Sequence, residues 1–187
     1  VEGIHEDAEW LIRMVENLLL ITKVEGAARI VKRSEAVEEV VAEAVAKFQK
    51  HYPSSVIEVS APEELLMAPM DALLIEQVLF NLFENAVLHG KAAVIALTVS
   101  ESGDEALLEV RDDGLGIQKA DFQHLFDGYM GRAERASSDN SRNMGIGLSV
   151  CFSIIQAHGG RMEAKNIRPC GALFRFTLPL EEASDGQ

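Results

Sequence analysis

Positive charge is scarce in this chain. Seventeen Lys and Arg stand against thirty Asp and Glu in 187 residues, a formal net charge of -13. That sign is wrong for tracking a nucleic-acid backbone, so no DNA or RNA partner is expected. It is also unfavourable for a polyanionic small molecule, which local backbone donors, a metal and a few nearby cations would have to hold. Cysteine is equally sparse. Cys151 and Cys170 sit in neither a metal-binding nor a redox spacing and read as free, partly buried thiols suited to a reducing compartment. No apolar run reaches the roughly 18 uncharged residues a membrane helix needs, and residues 1–10 lack a basic segment leading into an apolar one. This stretch is expected neither to span a membrane nor to be exported by a signal of its own.

What remains is 48% hydrophobic and 25% charged, enough for one domain of roughly 100–200 residues with a buried core and a short appendage. Across residues 4–25 apolar side chains recur at heptad spacing, with Ile4, Leu11 and Leu18 in one row and Met14 and Ile21 in another. This predicts one amphipathic helix whose seam needs a partner helix. Gly26 closes it, so residues 1–26 form one unit and 27–180 another, with 181–187 an unstructured tail. In the second unit Ser34 is expected to cap a helix with Val37, Val40, Val41, Ala44, Val45 and Phe48 on one face, ended near Pro53. Short strands follow at 56–60 and 65–68, then a helix over 70–88 and a hairpin of strands over 93–100 and 105–111. A polar loop over 127–144 suits a lid, and a helix over 147–158 leads to strands over 161–165 and 172–179. Hairpins interleaved with three helices predict an α+β fold. It is a two-layer α/β sandwich in which a mixed, largely antiparallel sheet is covered on one face by helices.

Three segments of this layout carry chemistry. Asn81 and Asn85 lie four apart and so share a helical face; their amide oxygens suit a hard cation such as Mg²⁺, which keeps waters and substrate phosphates in its shell. An exposed asparagine pair is the plainer alternative. Asp112-Asp113-Gly114-Leu115-Gly116 follows a strand. Its glycines let backbone approach a flat ligand, and a carboxylate at the strand end can accept from an exocyclic amine, which makes Asp112 the candidate reader of adenine. A simple Asp-Gly turn is the alternative there. Asn143-Met144-Gly145-Ile146-Gly147-Leu148 is expected to open the last helix, where unpaired N–H groups and the positive dipole end favour phosphate. The third glycine and the surrounding βαβ unit of a dinucleotide fingerprint are missing.

Together, the order and spacing of these segments resemble the GHKL (Bergerat-fold) ATPase and kinase superfamily, and within it the sensor histidine kinases. Residues 77–86 look like the N box, 112–116 like the G1 box, 122–126 like the F box and 145–148 like the G2 box, with 158–160 and 171–179 like the closing strands. The resemblance covers residues 30–180 as the catalytic ATP-binding domain. Residues 4–25 look like the second helix of the dimerisation and phosphoacceptor hairpin, and residues 9–19 are similar to the KdpD type of potassium-responsive sensor kinase.

The resemblance implies that Asn85 coordinates Mg²⁺, Asn81 supports the site, Asp112 binds adenine and Gly114 and Gly116 shape its pocket. Gly145 and Gly147, with Leu148 beside them, serve the phosphate end. ATP and Mg²⁺ are the implied cofactors and transfer of the γ-phosphoryl group to histidine the implied reaction. The implied partners are a response regulator, the chain's own phosphoacceptor helix and a second protomer, and the implied setting is the cytoplasmic part of a membrane-anchored sensor. Where hydrolysing relatives place a glutamate one turn before the metal-binding asparagine, this chain has Asn81, and a neutral amide cannot take a proton from water. Glu84 faces roughly 100° away from Asn85. No acceptor box of the His-Glu/Asp-x-x-Thr-Pro type occurs; His5-Glu6 echoes it without the Thr-Pro, so the chain alone is expected not to autophosphorylate. Leu88 stands where the N box usually has a phosphate-contacting Lys, and Asn143 where the G2 box usually has its first glycine. His89, Arg132, Arg135 and Arg142 are the candidates to compensate, although His89, His124 and His158 otherwise read as solvent or packing residues. A nucleotide-binding module without catalysis, signalling by ordering its lid, is the alternative.

Overall fold

A computed structural model describes residues 19, 30–122, 125 and 139–180, with backbone only at 120–121 and 139–146. The helix expected over 4–25 lies outside this set except for Leu19, which is helical. His124, Phe126, Arg132, Arg135 and the tail 181–187 also lie outside it.

Strict alternation builds the main sheet. In β4 (Val94–Ser102) Ile95, Leu97 and Val99 are buried; in β5 (Glu105–Asp112) Ala106, Leu108 and Val110 are; in the last strand (Ala172–Pro179) Ala172, Phe174, Phe176 and Leu178 are. A period of two sends these side chains to one face, where helices cover them. The β4–β5 hairpin is antiparallel with Leu97 opposite Val110, and Val110 in turn lies opposite Phe174 of the last strand. The five-stranded order is β2–β4–β5–β7–β6, where β2 is Val56–Ser60, β6 is Met162–Asn166 and β7 is the last strand. β2 pairs parallel with β4 and the other neighbours are antiparallel. The expected mixed, largely antiparallel sheet is what forms.

Helices α1 (Val37–His51), α2 (Ala72–Glu84) and α4 (Asp139–Ala157) make the second layer; α3 (Lys119–Phe122) is a single turn. Phe48 of α1 stacks on Tyr52 at a centroid distance of 4.6 Å and meets the edges of Phe80 and Phe83 of α2 at 5.2 and 5.3 Å. Phe48 and Phe83 are fully buried and each contributes about 1.5–3 kcal/mol. At the rim of this interface Lys47 forms an ion pair with Glu76.

Three element ends differ from expectation. Ser34 does not cap α1. It belongs to β1 (Arg33–Ala36), which pairs antiparallel with β3 (Met67–Met70) in a separate two-stranded sheet. Tertiary bonds replace the cap, for the Val37 amide donates to Leu66 O at 2.9 Å and the Glu38 carboxylate accepts from the Leu66 amide. The α-turns of α2 stop at Glu84 and pass into a π-turn, Asn85–His89. Helix α4 begins at Asp139, eight residues ahead of the expected Gly147, because no proline interrupts residues 139–157 and an acidic residue leads the first turn.

His158 ties the layer together. It is 2% exposed; its Nδ1 donates to Ile154 O at 2.7 Å, and its Nε2 accepts from the amide of Asp71, the N-cap of α2, at 3.0 Å. The bond at Nε2 needs the neutral ring, since a protonated Nε2 cannot accept, and burial pushes the imidazole pKa below its ordinary 6.5. The native state therefore binds fewer protons than the unfolded chain. Stability is intact above the unfolded value and is lost as pH falls from there toward the lower native value, by up to about 1.4 kcal/mol per pH unit for one proton. Urea unfolding at pH 7.5 and 5.5 should show the drop, and His158→Gln, which keeps a donor and an acceptor without titrating, should flatten it.

Candidate functional site

Sheet periodicity makes the site. After Ala106, Leu108 and Val110 the inward register continues to Asp112, which is 5% exposed. A carboxylate in a core position must find donors, and Oδ1 accepts from the amides of Gly114 at 2.9 Å and Ala172 at 3.3 Å. Burial pushes the Asp112 carboxyl above its ordinary range, partly offset by these two amides. Asp113 points the other way; its Oδ1 takes the amides of Ala93 at 2.8 Å and Val94 at 3.1 Å, which hold its pKa down and fasten the turn to the start of β4.

Glycines shape this turn by allowing contact. Gly116 has φ +76°, and a Cβ there would lie 2.8 Å from Asn166 Oδ1. Asn166, at the end of β6, clamps Ile117 with both ends of its amide, accepting from the Ile117 amide at 2.7 Å and donating to its carbonyl at 2.8 Å. Gly114 abuts Gly90 O, and the next amide, Leu115, donates to that same carbonyl at 2.8 Å. Gly114 thus serves the packing of the turn on the end of the π-turn.

The two asparagines part company. Asn81 is buried in α2, holds Gln77 Nε2 at 3.1 Å through its Oδ1, and sits under Gly147 of α4, whose Cβ would lie 3.8 Å from the Asn81 amide carbon. Asn85 opens the π-turn and reaches the pocket wall. The Nδ2 atoms of both are buried without a hydrogen-bond partner. Glu84, between them, accepts from Tyr52 Oη at 2.7 Å.

The expectation that Gly145 and Gly147 open a helix is corrected. Both lie inside α4, where helical geometry engages their N–H groups with carbonyls four residues earlier. Leu148 is fully buried core. Next to it, Cys151 is buried, its thiol set toward Val78 O and pushed up to about 12 by burial, whereas Cys170 is exposed. Neither is partly buried, and both are free.

A pocket open to solvent gathers Asn85, His89 and Gly90 from the π-turn and its end and Asp112, Gly116 and Ile117 from the β5 turn, with Ala172 and Phe174 of β7. Of the residues expected at the site, the structure brings together Asn85, Asp112 and Gly116; Asn81, Gly114, Gly147 and Leu148 support it from outside. His89, read either as a compensator for Leu88 or as a solvent or packing residue, lines the wall. Ala172 and Phe174 were legible in principle, because β7 pairs with β5 in a register that sets Phe174 opposite Val110. Asn166 carried no such signal.

Residues 70–182 match the family model of histidine kinase-, DNA gyrase B- and HSP90-like ATPases. The sensor protein KdpD of Clostridium acetobutylicum is 43% identical over 183 residues, covering 97% of this chain and 20% of that protein. Among solved structures, the histidine kinase AdeS of Acinetobacter baumannii has a TM-score of 0.74 at 22% identity, covering 97% of this chain and 84% of that one. Full-length ShkA in complex with AMPPNP has a TM-score of 0.77 at 20% identity, covering 97% of this chain and 38% of that one. These likenesses establish the fold as that of histidine kinase catalytic domains, the Bergerat α+β sandwich. The chain spans about a fifth of the length of the curated relatives it matches.

Proposed function

Because this chain belongs to the family of histidine kinase-, DNA gyrase B- and HSP90-like ATPases and carries its ATP-binding catalytic domain, we propose that it transfers the γ-phosphoryl group of ATP to a histidine supplied by another segment. The observation that carries this reading is the convergence of Asn85 and Asp112 on one pocket while the neighbouring carboxylate, Glu84, is engaged by Tyr52. Asp112 accepts the adenine amine, Gly116 and Ile117 form the floor beneath the base, and Phe174 supplies apolar contact. At Asn81 a neutral amide stands where water activation would need a base, so the site positions ATP without hydrolysing it.

The residues present fit a magnesium ion that arrives with the nucleotide. The Asn85 amide nitrogen is buried without a partner, so turning the amide to present Oδ1 to the pocket breaks no bond to Nδ2, and one protein oxygen plus phosphates and waters is an ordinary Mg²⁺ shell. Bound there, the ion would neutralise phosphate charge that the acidic chain cannot. The partners in this reading are the phosphoacceptor helix, a second protomer and a response regulator, and the setting is cytoplasmic. In keeping with that, among the described residues no helix is long and apolar enough to cross a membrane, and both cysteines are free.

The enclosure of Gly145 and Gly147 within α4 favours a second reading, a nucleotide-binding module without transfer. Radiolabelled ATP and Mg²⁺ incubated with the chain, with and without the phosphoacceptor hairpin of the parent protein, separate the two. Acid-labile, base-stable label on the hairpin alone, with phosphate release at background, is the expected result. Binding without label supports the second reading, and rapid phosphate release by the chain alone contradicts both.

A further inference from the structure

We propose that Asn166 is a positioning residue for the nucleobase: through the Ile117 peptide, its side-chain amide holds the pocket floor at a fixed distance from Asp112. The inference rests on the ATP reading above and extends it to a residue that does not itself line the pocket.

The need for such a residue comes from the backbone. Strand β5 ends at Asp112, so the peptide groups of residues 113–117 leave the ladder, and each buried one must find a partner elsewhere. Three anchors on three different elements fasten this segment. Asp113 takes the amides of Ala93 and Val94 at the start of β4, and the Leu115 amide donates to Gly90 O at the end of the π-turn. Ile117, which is buried and lines the pocket, has Asn166, whose one amide supplies an acceptor for its N–H at 2.7 Å and a donor for its C=O at 2.8 Å. The Asn166 side chain thus stands in for a missing strand neighbour.

Asn166 also reaches the other half of the site. In the β6–β7 ladder it is the register partner of Ala172, whose amide donates to Asp112 Oδ1 at 3.3 Å. Its own Oδ1 lies 2.8 Å from where a Cβ of Gly116 would stand, with Gly171 O at 3.1 Å, so the amide and the β6–β7 turn back Gly116 directly. One residue therefore connects the carboxylate that reads the base to the two residues that carry it. A flat base has to meet floor and carboxylate at once, and a small displacement of either gives up one contact to keep the other. Asn85, at the metal end, is not among the partners of Asn166, so the effect belongs to the base and not to the phosphates.

The test follows ADP binding, with Mg²⁺ and with chelator, and amide hydrogen exchange in the native chain and in Asn166→Ala, Asn166→Asp and Glu163→Ala. Asn166→Asp keeps the acceptor for the Ile117 amide but turns a second oxygen toward its carbonyl, so it tests the donor half even where the alanine variant folds poorly. Both Asn166 variants should bind ADP about tenfold more weakly, by the same factor with and without Mg²⁺. In the free protein the Ile117 amide should exchange about tenfold faster in Asn166→Ala, while that of Leu115, held by Gly90, changes less. Glu163→Ala, which removes the ion pair with Arg175 on the same strand, should bind as native. Native ADP affinity with the Ile117 amide released, a loss confined to ADP with Mg²⁺, or an equal loss in Glu163→Ala overturns the assignment while the ATP reading stands. A native chain that binds no ADP overturns both.

Discussion

Asp112→Asn should weaken ATP binding by roughly 10- to 100-fold with little change in fold. The substitution keeps an oxygen for the amides of Gly114 and Ala172, which anchor the side chain through Oδ1. What changes is the other end of the group. An NH₂ replaces a carboxylate oxygen, so the exocyclic amine of adenine meets a donor where it needs an acceptor, and one or both donors stay unpaired in a buried site. Since burial already raises the Asp112 pKa, the neutral amide places no new strain on the core. Calorimetric affinity and a urea midpoint on the same preparation check both halves. A loss of stability comparable to the loss of affinity would mean that Asp112 is structural.

Gly171→Ala should cost about 3 kcal/mol or more of stability and abolish the pocket with it. Gly171 has φ +104°, and a Cβ there would run into the backbone carbonyl of Asp112, with Asp113 Cα at 3.3 Å. Its own carbonyl accepts from Ile167 at 3.0 Å, so the turn between β6 and β7 cannot shift without moving the end of β6, where Asn166 clamps Ile117. Gly103 is the control. It also has positive φ, +66°, but a Cβ there meets nothing within 4 Å, so Gly103→Ala should cost about 1–2 kcal/mol, the backbone contribution alone. Urea unfolding of the two variants, read at unchanged m, measures the difference. Similar costs at both positions would show that the contact with Asp112 is not tight.

The parts of this molecule that sequence reveals are those governed by local period. Alternation in β4, β5 and β7 sets the sheet, and carried two residues past Val110 it delivers Asp112 to the core side, next to helices already marked by their apolar stripes. Asn85 was singled out because its spacing of four from Asn81 is a local signal too, and the structure sets it on the pocket wall. What escaped depends on distant partners. Ser34 looks like a cap until Pro69 pairs with it across the small sheet, and Asn166 looks like a strand end until its amide meets Ile117, 49 residues earlier. The π-turn escaped for another reason. Residues 85–89 contain nothing that distinguishes an i→i+5 bond from an i→i+4 bond, so the helix was carried to residue 88 in α-turns that end at Glu84. Gly114 was read as room for a ligand, and the structure fills that room with Gly90.

The central claim is that the wall formed by Asn85, Asp112 and Gly116 holds ATP with magnesium. Titration of the native chain with ATP in a calorimeter, with Mg²⁺ and then with chelator, is its most direct test, run beside Asn85→Ala. Binding that is stronger with Mg²⁺ than without it, and that loses this difference in Asn85→Ala, is the predicted result. Native protein that takes up no heat at millimolar nucleotide, or Mg²⁺ dependence that survives in Asn85→Ala, would contradict it.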